Sequence, residues 1–396
     1  MPDMSRSSTR TIEAKQVLRT SSDDHQAEVL IAPPLAVGLS ERLSSFILDE
    51  RPAIFAEASQ AVYEPNGAAA AILGDLIKPV ALASLYNCLP PLLGGGTAEL
   101  DRLLVDWSTA GLIDVIPDAG GLLEPADRQA GLPLGYEVAS VFGHGRSLEW
   151  FDALNYLPEA GNGELSAHVW SYKGVGIVKF ANQPARIILR DQIAAALRYS
   201  LVEMILQHTD RIAMHCACMT VGDGAILLLG APGSGKSTLA MFANECGMTL
   251  AGDDIALFDP LSGKIMPLAL PLTLKEGSWS LLTATSWRHS NTAPVQRQDG
   301  VTVMYLPLRG PVSQTPMKIR ALIRIDRGAQ ERATISHWSK TDCLRHVCSE
   351  AKKNSGNASV EDINAMVSAI SDAKTLTLSY SDAAEAGQLL GLNFGG

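Results

Sequence analysis

The segment that most restricts how this chain can fold is Gly230-Ala231-Pro232-Gly233-Ser234-Gly235-Lys236-Ser237. It follows the apolar run Ala225-Ile226-Leu227-Leu228-Leu229 and precedes Thr238-Leu239-Ala240-Met241-Phe242-Ala243, a helical stretch that Gly247 can terminate. A short apolar run of this kind reads as a strand buried on both faces, so the order is strand, glycine loop, helix. The glycines let the backbone bend until successive N–H groups point inward, with the positive end of the next helix behind them. Such a cradle suits phosphate oxygens. Lys236 adds a mobile charge for the β and γ phosphates, and the Ser237 hydroxyl suits a magnesium ion shielding the same oxygens. Gly230 through Thr238 are therefore expected to bind ATP with Mg2+.

Downstream, Thr249-Leu250-Ala251-Gly252 reads as a short strand that delivers Asp253 and Asp254 to its end. One carboxylate can hold the metal, and the other can accept a hydroxyl proton from an acceptor. Upstream, Ile212-Ala213-Met214-His215 is a strand-like run that sets a histidine before the loop. Cys216 and Cys218 follow it with no second ligand pair at finger-like spacing, so they read as residues of a buried strand and not as a zinc site.

Composition narrows the field further. With 46% hydrophobic and 19% charged residues the chain falls in the soluble globular range, and its length predicts two or three domains. A formal charge of -10 argues against a nucleic-acid partner held by its phosphates. No uninterrupted apolar run reaches ~18 residues, and Met1 to His25 lack a secretory core, so a cytoplasmic protein without membrane contact is expected. The six cysteines are too scattered for a disulfide framework. A homo-oligomer stays open.

Residues 1–26 read as a flexible polar tail. Next come strand-like stretches at Ala53–Ala58 and Ala61–Tyr63, and a turn at Glu64-Pro65-Asn66-Gly67. Helices are expected from Ala68 to Leu76 and from Ala81 to Cys88, and a third from an N-cap at Thr97, with Leu100, Leu103, Leu104 and Trp107 on one face and Gly111 as its stop. Leu112–Ile116 then returns as an extended wing. Residues 119–135 read as a linker. Beyond it, strands are expected at Glu137–Phe142, His168–Tyr172, Val175–Phe180 and Arg186–Leu189, then a helix capped by Asp191 and running to Gln207. Two helix-like segments after Ser339, a strand at Leu376–Tyr380 and a helix near Ala383–Leu390 close the pattern.

Two resemblances follow from these residues. Tyr63-Glu64-Pro65-Asn66 leading into Ala68–Leu73, then Leu103-Leu104 through Trp107 to Gly111-Leu112-Ile113, resembles the PqqD-like domain, a small α+β winged-helix-like module that recognises leader peptides of ribosomally made precursors. It would occupy residues 27–118. His215, the turn Gly222-Asp223-Gly224, the glycine loop, Gly247 and the Asp253-Asp254 pair together resemble the catalytic domain of the HPr kinase/phosphorylase family, over residues 136–396. The resemblance implies an α/β P-loop kinase domain with a mixed sheet flanked by helices. It implies catalytic roles for Asp254, Asp253, His215 and Lys236, and metal ligation by Ser237 and Asp253. The family's Glu-containing signature beyond the Asp pair is matched only by Pro271-Leu272-Thr273-Leu274-Lys275-Glu276, which makes Glu276 the candidate further metal ligand. Cys216 stands where the family has Gly, a mark of divergence, so neither the HPr substrate nor phosphorolysis is carried over.

Joined, the resemblances imply an ATP-dependent kinase acting on a Ser or Thr hydroxyl of a peptide or protein, such as a precursor peptide held by its leader. A small-molecule kinase and a nucleotide-gated ATPase or regulatory binding protein are the alternatives. No Leu-Ser-Gly-Gly-Gln transporter signature or Asn-Lys-x-Asp guanine motif is present. Arg288, Arg297 and Arg309 are further candidates for charge near the transferred group. Lys236→Ala is expected to abolish nucleotide turnover by removing the charge that balances the phosphates, measured as phosphate release and transfer with ATP and Mg2+.

Overall fold

A computed structural model describes residues 10–11, 33–93, 96–117, 126–134, 137–145, 150–151, 166–180, 183–290, 292–309, 315–328, 331–354 and 356–395. It shows a mixed α/β protein with several sheets, among them a nine-stranded mixed sheet flanked by helices and small antiparallel sheets near the N-terminus. The chain forms two compact units. The first comprises Met1–Gln129, Val141–Leu148 and Ser166–Ile193, and the second comprises Ala130–Ser140, Glu149–Leu165 and Ala194–Gly396.

In the first unit, β1 (Leu35–Leu39) is followed by the antiparallel strands β2 (Leu43–Leu48), β3 (Arg51–Ala56) and β4 (Ala61–Glu64). Helix α1 (Gly67–Asp75) starts where the Asn66 side chain accepts from the Ala69 N–H, so the expected turn also caps the helix. Then come α2 (Leu82–Cys88), α3 (Gly96–Ala110) and β5 (Ile113–Pro117), which pairs back onto β1. Thr97, expected as an N-cap, lies inside α3, because the helix already begins at Gly96. Gly111 ends it at φ +71, a conformation that only glycine takes without strain.

Residues 128–134, read as linker, form strand β6 (Arg128–Leu134); the linker's residues 119–125 and 135 and most of the expected tail lie outside the described residues. Strand β7 (Glu137–His144) follows, then the antiparallel meander β8 (Ser166–Tyr172), β9 (Val175–Phe180) and β10 (Arg186–Leu189). The meander shares one core with the helices: Leu82, Leu100 and Trp107 pack with Trp170, Val175 and Ile187. Within that core the Tyr86 hydroxyl donates to Asp101, whose carboxyl is pushed up by burial. A Cβ at Gly174 would strike Asp101, which leaves glycine as the residue that fits there.

The long C-terminal run of the second unit starts in α4 (Ile193–Gln207), reached through a 3-10 turn whose N-cap is Leu189, so that Asp191, expected as the cap, lies inside the turn. Strands β11 (Ile212–His215), β12 (Ala217–Val221) and β13 (Gly224–Leu229) follow; the last two form a hairpin around Gly222 and Asp223. After α5 (Lys236–Glu245) come β14 (Thr249–Gly252), β15 (Ile255–Asp259), β16 (Lys264–Pro267) and β17 (Leu272–Lys275). Two 3-10 helices lead to β18 (Thr302–Leu306), which pairs with β17. The eleven-residue β19 (Met317–Arg327) is followed by β20 (Thr334–His337), α6 (Lys340–Glu350), α7 (Val360–Asp372), β21 (Lys374–Tyr380) and α8 (Ala383–Phe394).

The large sheet runs β11-β15-β16-β19-β13-β12-β14, with β21 also on β19 and β20 on β21. Strand β19 is parallel to both β13 and β21, and the other pairs are antiparallel. Every residue of β13 is buried, because its two faces serve two cores. Ile226 and Leu228 pack with Leu239, Phe242 and Leu390 of α5 and α8, while Leu227 and Leu229 pack with Val347 and Ile370 of α6 and α7. A strand covered on both sides must be apolar at every position, and this one is.

The sheet carries the loop after β13 and, two strands away, the acids after β14. Gly252 ends β14 with its Cα so near the Leu268 carbonyl that a Cβ would come within 2.1 Å of that oxygen. Gly252→Ala is therefore expected to destabilise the protein by about 1–3 kcal/mol and to lower turnover by shifting Asp253, as read by urea denaturation alongside phosphate release.

Candidate active site

The glycine loop turns sharply, with Gly233 at φ +83 and Gly235 at φ +101. Gly235 stands at the N-cap of α5 in the left-handed region and supplies no side-chain hydrogen bond to the first helical turn. Those N–H groups are thus left for an anion, and the helix dipole favours one. Lys236 is buried and donates to the carbonyls of Gly230 at 2.6 Å and Ala231 at 3.3 Å. Burial lowers the pKa of its ammonium, against the attraction of Asp253.

Asp253 is almost wholly buried, and its Oδ2 accepts from the Ser237 hydroxyl at 2.8 Å and the Thr273 N–H at 2.9 Å. Burial, then the neighbouring charge of Asp254, push its pKa up to about 6. The 2.8 Å between Ser237 Oγ and Asp253 Oδ2 suits adjacent ligands of an octahedral cation, which with bonds of 2.0–2.1 Å stand about 2.9 Å apart. Ser237 and Asp253 thus fit Mg2+. Glu276 is exposed at the start of a 3-10 helix, and the cleft wall includes its neighbours Lys275, Gly277 and Ser278 but not Glu276 itself. The structure brings two of the three expected metal ligands together and leaves the third outside.

Asp254 faces the other way. Its backbone takes φ +79, a left-handed conformation that costs a non-glycine residue about 1 kcal/mol or more. Arg198 of α4 donates to Oδ2 at 2.9 Å, and His215 Nδ1 lies 3.4 Å from Oδ1. Burial alone would raise the Asp254 pKa, but the charge and hydrogen bond of Arg198, with His215 and Lys236 nearby, bring it below the usual carboxylate value. His215 is shifted down by burial and by Lys236, against the attraction of Asp254. Behind it the buried Cys216 thiol is pushed up to about 12 by burial, which suits a packing role.

Loop, acids, His215 and Arg198 line one cleft of about 920 Å³. Of the further arginines, Arg297 lines it and pairs with Asp299, whereas Arg309 stacks on Trp287 with 4.0 Å between its guanidinium and the ring centre. Arg288 does not line the cleft. Arg198 and Thr273 were not anticipated from the sequence. The signal for Arg198 was there: it is a lone cation among Ala194, Leu197, Leu201, Val202 and Ile205 on a helix with little polar face, and a buried guanidinium needs a carboxylate partner. For Thr273 the contact is a backbone N–H, which any residue carries.

Among the described residues no group of three or more His, Cys, Asp or Glu side chains forms a metal cluster, and no helix is long and apolar enough to cross a membrane. No protein-family model matches the chain, and no curated protein matches it either.

The raised pKa of Asp253 has a consequence for stability. Its folded value lies above its unfolded one, so the fold carries no penalty from this group at low pH and a growing one as pH rises from about 4 past 6. A shift of about two units corresponds to something on the order of 3 kcal/mol. Asp253→Asn, whose amide oxygen can still accept from Ser237 and Thr273, is expected to raise the melting temperature of the metal-free protein at pH 7–8 and to leave it unchanged near pH 4.

Proposed function

We propose that this chain is an ATP-dependent kinase of the HPr kinase-like P-loop class that phosphorylates a Ser or Thr hydroxyl of a peptide or protein. The observation that carries the reading is the division of labour between two consecutive carboxylates in one cleft. Asp253 is bound to the loop's Ser237, while Asp254 is turned away and held by Arg198 beside His215.

The chemistry follows from that split. The α5 N-terminus and the loop amides take the phosphates, and Lys236 leaves the Gly230 and Ala231 carbonyls to meet the terminal ones. Ser237 and Asp253 would hold Mg2+, which when bound supplies positive charge against the β- and γ-phosphate oxygens. Asp254, ionised at neutral pH, accepts the hydroxyl proton as the acceptor oxygen bonds to phosphorus and the bond to the β-phosphate oxygen breaks, leaving ADP. Because the proton passes to a carboxylate of lowered pKa, it moves late, when the bond to phosphorus is largely formed. His215, with Nδ1 3.4 Å from Asp254 Oδ1, steadies that carboxylate.

Residues 27–118 take a PqqD-like role in recruiting the peptide. In support, the antiparallel strands, helices α1, α2 and α3 and the returning strand β5 follow one another in the order of the resemblance, with a short extra helix at Pro90–Leu93. A recruiting module raises the effective concentration of a weakly held acceptor, so the catalytic cleft need not grip it tightly. A cytoplasmic location goes with this reading.

Incubating the protein with ATP, Mg2+ and candidate precursor peptides is expected to add one phosphate, +80 Da by about one HPO3 unit, detected by mass spectrometry. Asp254→Asn is expected to cut transfer by about 100-fold or more while nucleotide binding persists. Equal loss of nucleotide affinity would assign Asp254 to metal holding, and absence of any phosphorylated product would reject the peptide-kinase reading.

A further inference from the structure

The cleft extends well past the glycine loop. On α4, Tyr199, Val202, Glu203 and Leu206 fall at the spacing that places side chains on one helical face, and all four line it. The same cleft is lined by Met214 and His215 of β11, by Glu350 as the last residue of α6 and by Lys352 just beyond it. The stripe begins beside Arg198, which holds Asp254, so it is continuous with the place where the acceptor hydroxyl must sit.

Three properties indicate its occupant. From Arg198 to Leu206 the helix advances about 12 Å, the length of about four residues of extended chain. The stripe is mostly apolar, and Tyr199 stands 63% exposed within it, an aromatic side chain with an apolar body and a polar tip, of the kind that anchors peptides. Charge adds a preference: α4 brings the half-buried carboxylate of Glu203 into the cleft about one helical turn from both Tyr199 and Leu206, while the one cation of that helix, Arg198, is taken by Asp254. A volume of about 920 Å³ is near the top of the roughly 300–1,000 Å³ that serves a single small ligand, which leaves room beside a nucleotide.

We infer that the α4 stripe is an acceptor groove for a linear, extended peptide, which lays about four residues along Tyr199, Val202 and Leu206 and sets a basic side chain against Glu203. The inference rests on the kinase reading and goes further, since it excludes a small hydroxyl metabolite and a rigidly folded surface as the preferred acceptor. Tyr199 supplies packing area at little entropic cost, and the Glu203 carboxylate supplies the charge preference.

The test uses the full chain with ATP and Mg2+ on two probes: nine-residue peptides with a central serine and each flanking position varied in turn, and N-acetylserine amide. The expected result is selection of Lys or Arg at one or two flanking positions. Glu203→Lys is expected to shift that selection toward Asp or Glu. Tyr199→Ala, at an exposed position that leaves folding intact, is expected to raise the peptide KM about tenfold with the KM for ATP unchanged. Phosphorylation of both probes with equal kcat/KM, or peptide transfer with no positional preference and no response to Tyr199→Ala, overturns the groove and leaves the kinase reading standing. If neither probe gains phosphate while leader-bearing precursor peptides do, the groove falls and the kinase reading stands; if none of them gains phosphate while Lys236-dependent ATP hydrolysis proceeds, both fail. Thermal melting of each variant separates loss of recognition from loss of fold.

Discussion

Two adjacent carboxylates at the end of one strand, Asp253 buried and Asp254 half-buried, are the constraint around which the second unit is arranged. Neither can lose water without replacement partners, and one pair of partners cannot serve both, because consecutive side chains diverge. The fold meets this by drawing on separate elements. Asp253 is met by a hydroxyl from the first turn of α5 and an N–H from β17, and Asp254 by a guanidinium from α4 and an imidazole from β11. The left-handed backbone at Asp254 is what lets the two point apart, and Arg198 and His215 hold the strained conformation in place.

That separation in space is also a separation in electrostatics. One carboxyl is raised by burial beside a like charge, and the other is lowered by a buried arginine. A pair driven apart in this way can divide metal holding from proton acceptance, which two equivalent aspartates could not do. The sheet makes the arrangement rigid: β13 and β19, paired in parallel and covered on both faces by helices, fix the loop, and β12 ties β14 to β13.

Much of the site was legible in the chain itself. The glycine loop, the strand before it, the helix after it and the Asp253-Asp254 pair appear where their spacing places them, because strand, turn and helix are local structures with local signals. The paired strands at Ala61–Glu64 and Val175–Phe180 and the helix stop at Gly111 were legible for the same reason. Thr97 misled because a cap residue one position inside a helix looks the same in sequence as one at its start. Strand β6 was hidden by Gly and Pro within Arg128–Leu134, residues that read as linker until a neighbouring strand pairs with them.

What the sequence determined alone was the glycine loop between strand and helix, since eight consecutive residues carry both its turn and its lysine. Tertiary structure decided the partners of the two acids. Arg198 lies far along the chain from Asp254, and nothing local links them. It also decided that Glu276 stays outside the cleft while Ser237 meets Asp253. The reason is physical: backbone conformation depends on near neighbours, whereas which side chain neutralises a buried charge depends on how the sheet and helices pack.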